Sequence, residues 1–150
     1  MRLWAGAALI VAGFAAGLSA CAEEATPAIT QAEYVDALAL ICTETGTQLD
    51  ALEQPEDAGG VPAFATAVAE VLRSEAELAR GLSVPEEFDA DHRALIRNTD
   101  DQAGRWEELS AMPSTDAEFG DLTREIGELT LGRNDLIADM GVDACERTAG

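Results

Sequence analysis

The sequence predicts an all-α domain, an up-down-up-down four-helix bundle closed by one disulfide, that follows an N-terminal secretion signal. Three observations support this fold class. Four segments carry apolar residues at alternating steps of three and four, which is the spacing of one helix face. Proline and glycine separate these segments, and none alternates apolar and polar residues long enough for a strand. Two of the three cysteines lie where helix ends of such a bundle would meet.

The N-terminal segment has the features of a secretion signal. Arg2 is the only charged residue before residue 23, and residues 3–20 are apolar or small throughout. A stretch of this length approaches that of a membrane-spanning helix, so an uncleaved anchor and an ordinary cleaved signal are the alternatives. The segment 18–21, Leu-Ser-Ala-Cys, resembles the bacterial lipobox. The resemblance implies that the Cys21 sulfur receives a diacylglyceryl group and that Cys21 becomes the first residue after cleavage.

The lipobox resemblance sets the expected location and domain boundaries. Two acyl chains hold a protein stably on a membrane, so we expect a lipid anchor on the extracytoplasmic face of the cell membrane. Ala22 in place of aspartate implies no inner-membrane retention signal in a bacterium with two membranes. We divide the chain into a signal peptide at 1–20, the lipidated cysteine and a tether at 21–29, and the helical bundle at 30–150.

The composition is strongly acidic. Eight arginines and 29 acidic residues follow the signal peptide, so the mature chain has a net charge of −21 and contains no lysine. The genome's base composition or adaptation to high salt could explain this composition. Nucleic acid and anionic lipid head groups are both disfavoured as partners because their negative charges would be repelled.

The cysteine count predicts a disulfide. Lipid occupies Cys21, which leaves Cys42 and Cys145 as an even pair in an oxidising compartment. In an up-down-up-down bundle the fourth helix returns toward the start of the first helix. Both observations therefore predict a bond between Cys42 and Cys145.

The first two helices are predicted from capping residues and helix breakers. The first begins at Thr30, which forms a capping box with Glu33, and ends before Pro55. Its predicted buried face consists of Tyr34, Leu38, Cys42, Thr45, Leu49 and Leu52. The second begins with Pro62 in its first turn and ends at Gly81. Its predicted buried face consists of Phe64, Val68, Val71 and Leu78.

The other two helices are predicted in the same way. The third begins at the segment 85–87, Pro-Glu-Glu, because acidic residues favour a helix N-terminus, and it ends at Pro113. Its predicted buried face consists of Phe88, His92, Leu95, Thr99, Gln102, Trp106 and Leu109. The fourth begins at a cap formed by Ser114 or Thr115 and ends at Gly141. Its predicted buried face consists of Phe119, Leu122, Ile126, Leu129, Arg133, Leu136 and Met140.

Two segments around the cysteines resemble a group of small actinobacterial lipoproteins and secreted proteins. These are residues 34–42, Tyr-Val-Asp-Ala-Leu-Ala-Leu-Ile-Cys, and residues 140–145, Met-Gly-Val-Asp-Ala-Cys. The resemblance covers nearly the whole mature chain. It implies a helical domain with two cysteines and assigns no activity to it.

The predicted helix faces become polar near their middles, where a ligand site is conceivable. The polar residues at these positions are Thr45, Gln48, Thr99, Gln102 and Arg133. A buried unpaired Arg133 would cost several kcal/mol, so Glu75 is its expected partner. We favour a second helix that turns to bury Leu72, Ala76 and Ala79 and leaves Glu75 and Arg133 to reach solvent at the rim. The alternatives are a buried structural ion pair and a ligand pocket that includes Arg133, Glu75, Thr99, Gln102 and His92.

His92, the only histidine, is expected to lie at the edge of the core and make one hydrogen bond. A di-iron centre needs Glu-x-x-His on two facing helices, and this chain has only Asp-Ala-Asp-His at 89–92. A mononuclear metal site that uses Asp89 or Asp91 with His92 is the alternative.

The sequence offers no catalytic motif. It has no Gly-x-Ser-x-Gly segment, and the pair at 59–60, Gly-Gly, lacks the lysine of a phosphate-binding loop. We therefore expect no enzymatic activity, no cofactor and no metal. The expected role is a non-catalytic binding or envelope-associated module, with an envelope protein as a possible partner. The alternative is a carrier of a small ligand or divalent cation in a polar pocket in the middle of the bundle.

Overall fold

The computed structural model describes residues 29–147. The predictions for the signal peptide, for Cys21 and for the tether before Ile29 fall outside these residues. The described chain forms four α-helices and two short 3-10 turns, and no strand occurs between residues 29 and 147, which confirms the all-helical class. The helices are α1 (Gln31–Asp50), α2 (Val61–Arg80), α3 (Asp89–Ala111) and α4 (Phe119–Met140). The 3-10 turns are Glu86–Phe88 and Asp143–Cys145. In this part of the chain, no helix is both long and apolar enough to cross a membrane.

The ends of α1 and α4 follow the sequence signals. The Thr30 backbone N–H donates to Glu33 Oε2 at 2.9 Å, and the Glu33 N–H donates to Thr30 Oγ1 at 3.3 Å, which confirms the capping box. Gly141 ends α4 with φ of 70°, a left-handed conformation that glycine adopts without steric cost.

The predicted start of α4 is wrong. Neither Ser114 nor Thr115 caps a helix, because the chain first makes turns in which Asp116 Oδ1 accepts the Glu118 N–H at 2.9 Å. The helix begins only at Phe119. A short Asp-centred turn competes with a helix cap for the same backbone donors, and here the turn forms.

Neighbouring helices pair along their lengths. The most extensive packing is between α2 and α3, followed by that between α3 and α4. On α2 and α3, Arg73 pairs with Glu107 and Arg80 pairs with Asp100, so contacting residue numbers run in opposite directions. The first helix packs mainly against α2 and against the C-terminal turn Asp143–Cys145.

The second helix is rotated from the face that the spacing of its largest apolar residues predicts. Leu78 is 51% exposed, and Val71 is only half-buried. The positions that are buried instead are Leu72, Ala76 and Ala79, as the favoured interpretation expected. The small side chains of Ala76 and Ala79 allow a neighbouring helix to approach α2 closely.

In the middle of α4, the buried face is shifted by about one residue from the predicted face. It buries Thr130 and Ile137, whereas Leu129 and Leu136 are half-buried. The apolar core is divided into separate clusters. One cluster contains Tyr34, Leu38, Leu95, Ile137, Met140 and Val142, and another contains Ala65, Leu109, Leu122 and Ile126.

Candidate functional site

Cys42 and Cys145 meet beside a buried ionic network. Cys42 in α1 and Cys145 in the last 3-10 turn have their sulfurs in contact and their Cα atoms 4.9 Å apart. This separation lies within the range that a disulfide requires, about 4.4 to 6.8 Å. The fold therefore brings together two residues that are 103 positions apart in the sequence.

Arg133 of α4 and Glu75 of α2 form a buried ion pair. Their side chains are 0% and 3% exposed, and Arg133 Nη2 lies 2.5 Å from Glu75 Oε1. Arg133 Nη1 also donates to the backbone carbonyl of Cys145. Burial lowers the pKa of Arg133 and Glu75 opposes that shift, so arginine's very high ordinary value keeps it charged. The interpretation that both side chains reach solvent is wrong, because the rotation of α2 directs Glu75 inward.

A third charged residue, Arg147, completes the network, and the sequence analysis missed it. Arg147 Nη2 donates to Glu75 Oε2, the carboxylate oxygen that Arg133 leaves free. Its backbone N–H donates to Asn134 Oδ1 at 3.0 Å, and its carbonyl accepts from Asn134 Nδ2 at 2.6 Å. The only sequence signal for Arg147 was its position two residues after Cys145, which brings it close to the cysteine pair.

The network contains two cations and one carboxylate, so it carries one excess positive charge. Within residues 29–147, two buried side-chain atoms have no hydrogen-bond partner, and both belong to this network: Arg133 Nε and Arg147 Nη1. Buried donors without partners are uncommon in folded proteins. The network therefore leaves two donors of charged side chains unsatisfied within the described residues.

The polar residues predicted on α3 lie close to α4. Thr130 Oγ1 donates to Gln102 Oε1 at 3.4 Å, and Gln102 Nε2 donates to Asn98 Oδ1 at 2.7 Å. Thr99 is 1% exposed, as its place on the predicted face requires. Gln48 is exposed, so the expectation that it belongs to this polar layer is wrong.

His92 belongs to a separate cluster. Its Nδ1 lies 2.9 Å from Tyr34 Oη, and it is buried at the edge of the core, as predicted. Burial lowers the pKa of His92, with a smaller opposing effect from Asp89, and burial raises the pKa of Tyr34 to about 12. In the described part of the chain, no group of three or more His, Cys, Asp or Glu side chains could hold a metal ion.

A groove of about 510 Å³ opens beside Arg147, between α1 and α4. The gap exists because α1 packs on α2 and the C-terminal turn more than along α4. All four helices contribute lining residues to the groove. Two glycines, Gly46 and Gly127, also line it, and their lack of side chains leaves the space open. The apolar wall consists of Leu49, Phe64, Val68, Leu72, Trp106 and Ile126. The polar lining includes Gln102, Thr130 and Arg147.

The predicted ligand-binding residues are only partly brought together by this groove. Gln102 lines it, whereas Arg133, Glu75, Thr99 and His92 do not. Glu75 supports the groove indirectly through its ion pair with Arg147. The volume falls in the range of small-molecule pockets, about 300 to 1,000 Å³.

A larger cleft of about 690 Å³ lies between α3 and α4 but has a different character. Charged, water-accessible side chains dominate its lining, and Arg105 there already pairs with both Glu108 and Glu125. It has one apolar lining side chain, Leu129, against six in the groove beside Arg147. The groove beside Arg147 is therefore the better candidate for ligand binding.

The chain was also compared with known proteins. No model of a protein family matches it, and no curated protein or solved structure gives a significant match.

Proposed function

We propose that this chain is a lipid-anchored extracytoplasmic protein that binds a small ligand, without catalysis, in the groove beside Arg147. The observation that carries this proposal is the groove itself, a space of about 510 Å³ to which all four helices contribute. It combines six apolar side chains with several polar ones, the usual composition of a small-molecule site. Of the two roles considered from the sequence, the ligand carrier is the one that this groove favours.

The proposal includes an up-down-up-down bundle closed by a disulfide between Cys42 and Cys145. Cross-helix pairs support the helix order. Arg105 of α3 pairs with Glu125 of α4 at 3.3 Å, and Asn98 of α3 donates to the Leu129 carbonyl of α4 at 3.1 Å. Their residue numbers run in opposite directions, as antiparallel neighbours require. The disulfide would hold the C-terminal segment, and with it Arg147, against the bundle.

The lipid anchor rests on the lipobox resemblance at Cys21. Its test is Cys21→Ser, which removes the sulfur that carries lipid. We expect the wild-type protein to stay with membranes after a salt wash and the variant to be lost from them, because two acyl chains supply the affinity. Equal retention of the two proteins would contradict lipid anchoring.

Filling the groove with a side chain tests the ligand-binding role. A Cβ added at Gly127 would meet no heavy atom within 4 Å, so Gly127→Leu can occupy the groove without a backbone clash. Gly120 lies on the same helix, is equally open, and is absent from the groove lining. Gly120→Leu is therefore the matched control, and both substitutions remove a helix-destabilising glycine.

The readout is the small molecule that co-purifies with the full chain. We expect native mass spectrometry of the wild type and Gly120→Leu to show the same bound mass, and Gly127→Leu to lose it while remaining folded. Retention of that mass by Gly127→Leu, or no bound mass on any of the proteins, would contradict ligand binding in this groove.

A further inference from the structure

The groove has an apolar wall along α2 and a cationic residue, Arg147, in its lining. Along α2 it runs from Phe64 to Leu72, a distance of eight helical steps, or about 12 Å at the rise of 1.5 Å per residue. Trp106 packs edge-on against Phe64, with ring centroids 5.9 Å apart, in the apolar part. Gln102 and Thr130 are hydrogen-bonded to each other, and Arg147 pairs with Glu75 one helical turn beyond Leu72. Asp50, Gln54 and Thr123 also line the groove, so polar side chains border the apolar wall at more than one place, and Arg147 is the only cationic residue among the described lining residues.

The buried network beside the groove carries an excess positive charge. Glu75 is shared by Arg133 and Arg147, which leaves one positive charge of this network without an anion. The buried Arg147 Nη1 has no hydrogen-bond partner, and Arg147 lines the groove. A carboxylate or phosphate in the groove beside Arg147 would neutralise the excess charge, and it would accept a hydrogen bond from Nη1 once the guanidinium turns toward the groove.

We propose that the ligand is a single-chain amphiphile with an anionic head group. The head group binds Arg147, with Gln102 and Thr130 as neighbouring polar groups, and the chain lies along the apolar wall from Leu72 to Phe64. This inference rests on the proposed function, since it names the class of ligand that the same groove takes.

Two acidic residues also line the groove, and they determine where the head group binds. Asp50 and Glu146 are both exposed, so water and salt screen their charges. Arg147 is only 15% exposed and interacts through a less polar surrounding. The anionic head is therefore held at Arg147, and the exposed edge near Asp50 repels it.

The overall negative charge of the chain works against binding of an anion. With a net charge of −20 over the full sequence, non-specific electrostatic attraction favours cationic amphiphiles over anionic ones. A preference for an anion must then come from a local site, and the charge of the network at Arg147 is the local feature that supplies it.

The test compares three probes that share one chain and differ in head group: decanoate, decanol and decyltrimethylammonium, each below its aggregation limit. The mature chain, residues 21–150 with Cys21→Ser, serves as the parent protein, because it keeps every described residue and lacks both the lipid and the apolar segment 3–20, so no detergent competes for the groove. Binding is followed by isothermal titration calorimetry and by Trp106 fluorescence. Arg147→Gln removes the charge and leaves Glu75 in a balanced pair with Arg133, so this variant is expected to fold.

We expect decanoate to bind with one-to-one stoichiometry and at least about tenfold more tightly than the other two probes, the effect of one charge-assisted hydrogen bond. Arg147→Gln should remove this preference, Arg147→Lys should retain part of it, and Gly127→Leu should abolish binding of all three probes. Equal binding of the three probes that Gly127→Leu still abolishes would overturn the anionic ligand and leave the proposed function standing. Probe binding that Gly127→Leu does not affect, or no binding at all, would overturn both.

Discussion

Replacing Glu75 with glutamine should destabilise this protein far more than any surface substitution. The change keeps the shape of the side chain and removes its charge, so Arg133, which is 0% exposed, loses its counter-ion. Removing one partner of a buried ion pair costs about 3 to 5 kcal/mol, because the remaining charge stays buried without compensation. Arg147 is 15% exposed and can turn toward water, so we assign most of this cost to Arg133.

This cost is large against the total stability of a domain, which is about 5 to 15 kcal/mol. For a domain of about 120 residues, 1 kcal/mol corresponds to roughly 4 °C in melting temperature, so Glu75→Gln should lower Tm by roughly 12 to 20 °C. Urea unfolding followed by circular dichroism gives the free energy directly. Glu107→Gln provides the control, because the Arg73–Glu107 pair is about half exposed and its loss should cost less than about 1 kcal/mol.

A double substitution separates the ion pair from general packing. Replacing Glu75 with leucine and Arg133 with methionine removes both charges and keeps similar volume, and the expected stability is equal to or above that of the wild type. The sum of the two single substitutions should then exceed the double substitution by at least about 3 kcal/mol. A Glu75→Gln variant no less stable than Glu107→Gln would refute the buried network as described.

Three further predictions concern the cysteines, the histidine and the acidic surface. Reduction, or Cys42→Ala with Cys145→Ala, should lower the free energy of unfolding by up to about 4.7 kcal/mol while circular dichroism still shows helix, since the bond would close a loop of 103 residues; unchanged stability would exclude a disulfide. Because burial lowers the pKa of folded His92, the unfolded chain binds more protons, so stability should fall as pH falls below about 6.5, and His92→Gln should flatten that slope between pH 6.5 and 5. Calcium at millimolar concentration should raise Tm no more than sodium at matched ionic strength, and a larger effect would reveal a specific site.

The sequence by itself predicted the four helices and the approach of Cys42 to Cys145. Four apolar periodicities, the Thr30 capping box and the glycine at 141 were sufficient to place four helices, because these signals act within one or two turns of the chain. The cysteine count and the alternating helix order together predicted that Cys42 and Cys145 approach each other. The signal peptide and the lipid anchor stay predictions.

Local signals failed to predict the buried face where a helix has two faces of similar composition. On α4, Leu129 and Thr130 are both compatible with a helix face, and the packing of α4 against α3 selects Thr130 for burial. On α2, large residues at Val71 and Leu78 suggested one face, while alanines on another face allowed closer approach to α3. The face that is buried depends on the shape of the neighbouring helix, and the periodicity of one helix carries no information about that shape.

Only the tertiary structure decided the candidate site. Glu75, Arg133 and Arg147 come from α2, α4 and the C-terminal segment, and they meet where Cys145 of that segment lies against Cys42 of α1. Within its own segment, each of these three charged residues could equally well be exposed to solvent. The rotation of α2 puts Glu75 in the interior, and a buried carboxylate is stable only where cationic groups from distant segments reach it.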